Sequence, residues 1–317
     1  MNLMKSYLIA MLSAFALTFV LTALLTPLLR RLKAGQYILG YVKEHKNKSG
    51  TPTMGGLAFI ASIIIVAIIF FRFQNHVINL TLVIVAGFML VGFLDDFLKI
   101  YRKENEGLKP YQKIIFQFAI AVIAAVYCYV NKFTRLYVPF GGGFSFDIYW
   151  GIIPLVLFIF LASVNCVNLT DGLDGLAGGT SLAYLAAVGA MLAADGNPSA
   201  CLCFVGVGAL AAFLLFNVNK AGIFMGDTGS LALGGLIACV TVFSGYSLYL
   251  PIIGITFVFS GISVIVQVIY YKRTGRRVFL MAPLHHHFQM KGYSECKISY
   301  AYALVTALAG IICIIFM

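Results

Sequence analysis

Acidic side chains are scarce in this chain: eleven Asp and Glu stand against twenty-two Lys and Arg among 317 residues. Long polar segments are missing as well. No connection between apolar runs exceeds roughly 25 residues, too short to bury a core of its own, which excludes a separate water-soluble domain. No G-x-x-x-x-G-K-[ST] occurs, so ATP hydrolysis at a P-loop finds no support. No C-x-x-C pair occurs either. Most of the seven cysteines (Cys128, Cys166, Cys201, Cys203, Cys239, Cys296, Cys313) lie inside apolar runs, as packed, reduced thiols do, rather than at zinc sites or in disulfides.

What remains is apolar. Hydrophobic residues make up 61% of the chain, in recurring runs long enough to cross a bilayer as helices. The reading is an all-α integral membrane protein forming a single polytopic domain over residues 1–317. It has about ten spans, near 6–29, 54–71, 79–98, 113–130, 151–167, 175–193, 199–216, 229–245, 250–271 and 297–316. The first run is too long for the apolar core of a signal peptide and ends in Arg30 and Arg31, so it stays as a spanning helix. Ten spans place both termini on one side. Eighteen of the twenty-two Lys and Arg fall in connections on the other side, which marks that side as cytoplasmic and both termini as extracytoplasmic. The net charge of +11 is thereby explained by anionic lipid headgroups, and no nucleic-acid partner is implied. In the outer connection, β-type residues flank Gly141, Gly142 and Gly143, the pattern of a small hairpin.

The few acids are the informative residues. Asp95, Asp96, Asp171, Asp174 and Asp227 all fall at cytoplasmic ends of spans or in the short connections between them. Asp95 and Asp96 close an apolar run in GFLDDFLKI (92–100). On a helix they point about 100° apart and cannot both address one atom, whereas Asp95 shares a face with Lys99, and Asp96 with Lys99 and Lys103. In NLTDGLDGLAGG (168–179), glycines beside Asp171 and Asp174 allow a ligand to approach the backbone. FMGDTGS (224–230) sets Asp227 just before a helix start, with Thr228 and Ser230 as caps and free N–H groups suited to an anion. Oxygen donors without Cys or spaced His favour a hard cation, and carboxylates beside lysines suggest a metal-bridged phosphate, Mg²⁺ being the expected ion. EHKNKSGTPTMGG (44–56) brings Lys46 and Lys48 to a span entrance, either to hold phosphate or as a plain basic loop. His285, His286 and His287 in MAPLHHHFQMKG (281–292) are too closely spaced for all three to bind one metal, and hydrogen bonding of one or two to a substrate is the preferred reading.

Taken together, GTPTMGG (50–56), FLDDFLK (93–99), NLTDGLDGLA (168–177), FMGDTGS (224–230) and APLHHHFQ (282–289) resemble one family across nearly the whole chain. It is the bacterial phospho-N-acetylmuramoyl-pentapeptide transferases, within the polyprenyl-phosphate N-acetylhexosamine-1-phosphate transferases. The resemblance implies a homodimer in the bacterial plasma membrane with its active site on the cytoplasmic face. UDP-N-acetylmuramoyl-pentapeptide and undecaprenyl phosphate would give lipid I and UMP, with Mg²⁺ required. Carried over to matching positions, Asp95, Asp96 and Asp227 are the essential acids, Asp227 the Mg²⁺ ligand, and His285 lies near the reaction centre. Lys48, Thr53, Asn168, Asp171, Gly172, Asp174, Asn217, Phe224, Ser230, Gln267 and His286 would line the uridine side, where uridine-mimicking nucleoside inhibitors are also expected. A related transferase using another UDP-amino sugar is the alternative reading. A transporter is the competing class, disfavoured because the acids cluster at one face and no clear inverted repeat is seen.

Overall fold

The computed structural model describes residues 3–32, 50–104, 106–218 and 220–317. Its helices are α1 (Leu3–Arg31), α2 (Gly56–Phe71), α3 (His76–Arg102), α4 (Pro110–Val130), α5 (Ile152–Thr170), α6 (Leu176–Ala194), α7 (Ser199–Asn217), α8 (Gly226–Val242), α9 (Leu250–Ile253), α10 (Ile255–Thr274), α11 (Leu284–Met290) and α12 (Glu295–Ile315). Among the described residues eight are long and apolar enough to cross a membrane, and the shorter apolar helices α2 and α8 fall at the second and eighth expected spans. The protein is an all-α, multi-pass membrane protein. The hairpin is present too: β1 (Arg135–Tyr137) pairs antiparallel with β2 (Ser145–Asp147), Leu136 opposite Phe146, and Gly142 and Gly143 take positive φ at its tip.

Three boundaries differ from the sequence reading in ways that matter. The third span runs on to Arg102, so Asp95 and Asp96 do not end it but lie inside α3, both buried. The eighth begins at Gly226, which takes Asp227 into the first turn of α8 instead of leaving it outside. The ninth is broken at Gly254 into the short α9 and the spanning α10. The first two changes share a cause, because a carboxylate from α3 binds the N-terminus of α8, as described below.

α8 is the axis of the bundle. Every residue from Thr228 to Val242 is buried, so this stretch of the helix meets other helices rather than lipid. Within a membrane such packing depends on close approach, which small residues permit. A Cβ on Gly56 would lie 2.2 Å from Gly229, and one on Gly92 would lie 2.1 Å from the Asp227 carbonyl oxygen. A Cβ on Gly234 would meet the α5 backbone at Val164. These contacts seat α2, α3 and α5 directly on the α8 backbone. Two backbone hydrogen bonds, from the Phe224 N–H to the Pro52 carbonyl (2.8 Å) and from the Gly55 N–H to the Phe224 carbonyl (2.8 Å), knit the segment around Pro52 to the residues that lead into α8.

Candidate active site

The end of α3, the start of α4, the end of α5 and the start of α8 meet at one end of the bundle, opposite the hairpin. Asp95, Asp96 and Asp227 each present an oxygen within 4.8 Å of the other two, a grouping able to hold a metal ion. Although adjacent carboxylates diverge around a helix, these two converge on one centre, contrary to the expectation that they could not. The helix runs past them, and α8 lies across the edge between them.

Asp96 supplies what the N-terminus of α8 lacks. Its Oδ1 accepts from the Asp227 N–H (3.2 Å), and its Oδ2 accepts from the Thr228 N–H (2.9 Å) and the Thr228 hydroxyl (2.7 Å). The first N–H groups of a helix have no partner within it, and an anion there also meets the positive end of the helix dipole. The anion in this place is the chain's own carboxylate. Thr228 therefore donates to Asp96 and does not cap α8, while the Ser230 hydroxyl donates to the Gly226 carbonyl (3.0 Å).

Asp227 is gripped from three helices. The Asn168 amide on α5 donates to its Oδ1 (2.8 Å) and to Ser230 Oγ (2.8 Å). Lys113 on α4 meets its Oδ2 at 2.6 Å, and Lys99 on α3 meets the same oxygen at 3.1 Å. Lys99 also pairs with Asp95 Oδ2 at 2.6 Å, across the one-turn spacing the sequence suggested, and Lys113 lies 3.6 Å from that oxygen. Asp95 Oδ1 accepts from the Leu108 N–H (2.9 Å), which draws the connection after α3 over the site. A Cβ on Gly107 would come within 2.7 Å of the Asp95 carboxyl, so only glycine permits this approach. Three carboxylates beside two lysines are tolerable in a buried place because each charge has a partner.

Lys113 is the residue sequence reasoning missed. Its signal was available: it is the last basic residue before the fourth apolar run and lies one turn inside α4, at the depth where Lys99 closes the third. Lys103 takes the left-handed C-cap position after α3, just outside the helix that carries Lys99.

The remaining candidates divide into two groups. Thr53 stands beside Asp96: a Cβ on Gly226 would lie 2.4 Å from Asp96 Oδ2 and 2.6 Å from Thr53 Oγ1. Asp171 and Gly172 form the turn after α5. A Cβ on Gly172 would meet His285 Nε2 at 2.4 Å and His286 Nε2 at 3.1 Å, so the glycine lets both imidazoles of α11 lie against this turn. Burial, and then the charges of Asp227, Asp96 and Asp174, push the Asp171 carboxyl well above the ordinary carboxylate range. His285 is fully buried with neither ring nitrogen hydrogen-bonded, and burial, then His286, pushes its pKa down to about 3, so the ring is neutral. His286 Nδ1 bonds Gln289 Oε1 (2.9 Å).

The other group holds the scaffold. Asp174 Oδ2 accepts from the Ala221 N–H (2.9 Å), and its backbone bonds Glu295 and Ser299 of α12. The Asn217 side chain joins the Gly175 N–H to the Ile223 carbonyl. Gln267 on α10 binds the backbone of Val278 and Phe279, folding that loop toward α11. Phe224 is half-buried and contributes the backbone pairing with Pro52 described above. Lys48 lies outside the described residues.

Fold and site together define a multi-pass membrane protein with a buried carboxylate and lysine centre of the kind that handles phosphate groups. The profile of glycosyl transferase family 4 matches residues 77–245, and signature 1 of the phospho-N-acetylmuramoyl-pentapeptide-transferases matches residues 48–60. Curated proteins of that name are close in sequence. The one from Bacillus cytotoxicus is 43% identical over 291 residues, 90% of both chains. The one from Bacillus subtilis strain 168 is 43% identical over 316 residues, 96% of both. The chain belongs to the phospho-N-acetylmuramoyl-pentapeptide-transferase family and is a phosphoglycosyl transferase.

Proposed function

We propose that this chain transfers phospho-N-acetylmuramoyl-pentapeptide from its UDP derivative to undecaprenyl phosphate, giving lipid I and UMP for peptidoglycan synthesis. Within the structure, the observation that carries this reading is the meeting of Asp95, Asp96 and Asp227 with Lys99 and Lys113 at the ends of spanning helices. A phosphate tethered to a lipid stays near the headgroup plane, so the groups that act on it belong at that depth.

Oxygen-only donors within 4.8 Å of one another fit Mg²⁺, with Asp227 as the principal ligand and Asp95 and Asp96 beside it. When bound, Mg²⁺ supplies positive charge to the pyrophosphate and to the departing UMP. Lys99 and Lys113 add two cationic contacts for phosphate oxygens. Asn168 orients Asp227, and Asp96 keeps the start of α8 in register. The turn at Asp171 and Gly172 faces the imidazoles of His285 and His286, which donate to or accept from the nucleotide sugar.

An oxygen of the lipid phosphate attacks the sugar-bearing phosphorus, and the bond to the UMP oxygen breaks. A phosphate monoester, with a second pKa of about 6, is mostly a dianion at pH 7 and needs little help from a base. The route through an aspartyl intermediate is disfavoured because Asp96 spends both oxygens on α8, and Asp95 is held by Leu108 and Lys99. The enzyme works as a homodimer, and nucleoside inhibitors shaped like uridine compete for the same pocket.

Purified protein in detergent should release UMP only when the UDP-sugar, the polyprenyl phosphate and a divalent cation are all present. Release of UMP without the lipid would replace this reading with a hydrolase. The site is assigned to the cytoplasmic face on the basic loops. Cysteines introduced at Lys109 and Arg276 should therefore label only from the cytoplasm, and one at Gly142 only from outside; labelling of the last from within would invert the topology.

A further inference from the structure

One turn deeper than the acidic centre, a second polar contact joins α4 to α5. The Asn165 Nδ2 donates to Gln117 Oε1 at 2.7 Å, and also to the Leu161 carbonyl of its own helix at 2.8 Å. Gln117 is fully buried, and its own amide nitrogen has no hydrogen-bond partner in the structure. Along α4 the buried face reads Gln117, Ala121, Ala124, Ala125 and Cys128, a seam of small residues with one polar member. Small side chains let two helices approach, but being alike they specify neither the rotation nor the axial offset between them. A directed hydrogen bond specifies both.

Position gives this contact its meaning. Gln117 lies one turn beyond Lys113 on the same face of α4, and Asn165 lies one turn before Asn168 on α5. Lys113 and Asn168 hold opposite oxygens of the Asp227 carboxylate, at 2.6 Å and 2.8 Å. The bond between Gln117 and Asn165 therefore closes the frame whose other side is Asp227 itself. We propose that Gln117 and Asn165 are positioning residues for the reaction, a clamp that sets the spacing of α4 and α5 and so the orientation of the Asp227 carboxylate. This rests on the function proposed above, yet the frame is a property of the chain that can be measured without turnover.

The test uses three full-length variants in nanodiscs: Gln117→Met, Asn165→Leu, and the exchanged pair Gln117→Asn with Asn165→Gln. The first two keep volume and lose the hydrogen bond, while the third keeps both amides and their combined length. Turnover should fall about tenfold or more in each single variant, with the KM for the UDP-sugar changed less than about threefold. The cation concentration for half-maximal rate should rise. The exchanged pair should recover to within about threefold of the parent. Independently of activity, nitroxides at the exposed positions Ile115 and Phe158, with Cys296→Ser, report the spacing of α4 and α5. Their distance distribution should broaden or shift in the single variants and return in the exchanged pair. Parental turnover and spacing in a folded Gln117→Met would overturn the proposal, and so would a folded exchanged pair that restores neither. If the parent itself turns over neither substrate, the reaction is wrong, and the spacing measurement still decides whether the clamp exists.

Discussion

Replacing Asp227 with asparagine leaves the bundle folded and stops turnover. The substitution keeps the shape of the side chain, so the close seating of α8 on Gly56 and Gly92 is untouched. It removes the carboxylate that both Lys113 and Lys99 hold within 3.1 Å, leaving them only Asp95, and offers a hard cation a neutral amide. Whichever way the amide turns, its NH₂ faces a donor: the Asn168 amide on one side or the lysines on the other. Turnover should drop by roughly a thousandfold or more, about 4 kcal/mol of lost transition-state stabilisation. Binding of the UDP-sugar measured without cation should stay near the parental value. Titration calorimetry with and without Mg²⁺, beside a UMP-release assay, separates the two. Residual turnover within tenfold of the parent would remove Asp227 from the centre of the site.

Asp96→Asn is expected to fail by a different path. Asp96 accepts three hydrogen bonds at the N-terminus of α8, and asparagine has one oxygen to offer where the carboxylate has two. Its NH₂ would oppose a backbone N–H. Hydrogen bonds to a charged acceptor are worth about 1.5–3 kcal/mol each, so the first turn of α8 shifts and carries Asp227 with it. Turnover should fall by about two orders of magnitude, near 3 kcal/mol, with a lower melting temperature and a higher cation requirement. Thr228→Val removes one of the three bonds and should show a fraction of each effect. Were Asp96 only a cap with no bearing on the reaction, melting would change while turnover per folded molecule stayed parental. Steady-state rates normalised to folded protein decide between these.

Both expectations show where sequence and structure parted. Apolar runs were sufficient for the approximate places of the long helices, eight of spanning length among the described residues and the shorter α2 and α8 beside them, because hydropathy is a sum over some twenty residues and tolerates local error. The hairpin was legible in its three glycines, and the five polar motifs placed the chain in its family. The helix ends at Asp95 and Asp227 were misjudged by a few residues for one reason. A carboxylate that is costly in an apolar run on its own becomes favourable when another helix presents unpaired N–H groups to it, and that partner lies 131 residues away in the chain.

The same distinction governs the site. Residue type and order alone determined that carboxylates and imidazoles would gather at one end of the bundle, since each motif sits at or near the end of an apolar run and successive runs alternate in direction. Only tertiary packing decided what each does. It brought Lys113 to Asp227, gave Asp96 to the N-terminus of α8, and turned Asp174, Asn217 and Gln267 toward backbone groups. Side-chain partners across helices depend on rotation and axial offset, which are set by close contacts such as those at Gly56, Gly92 and Gly234. A one-dimensional pattern carries the face of a helix, and the angle at which that face meets its neighbour exists only once the helices have packed.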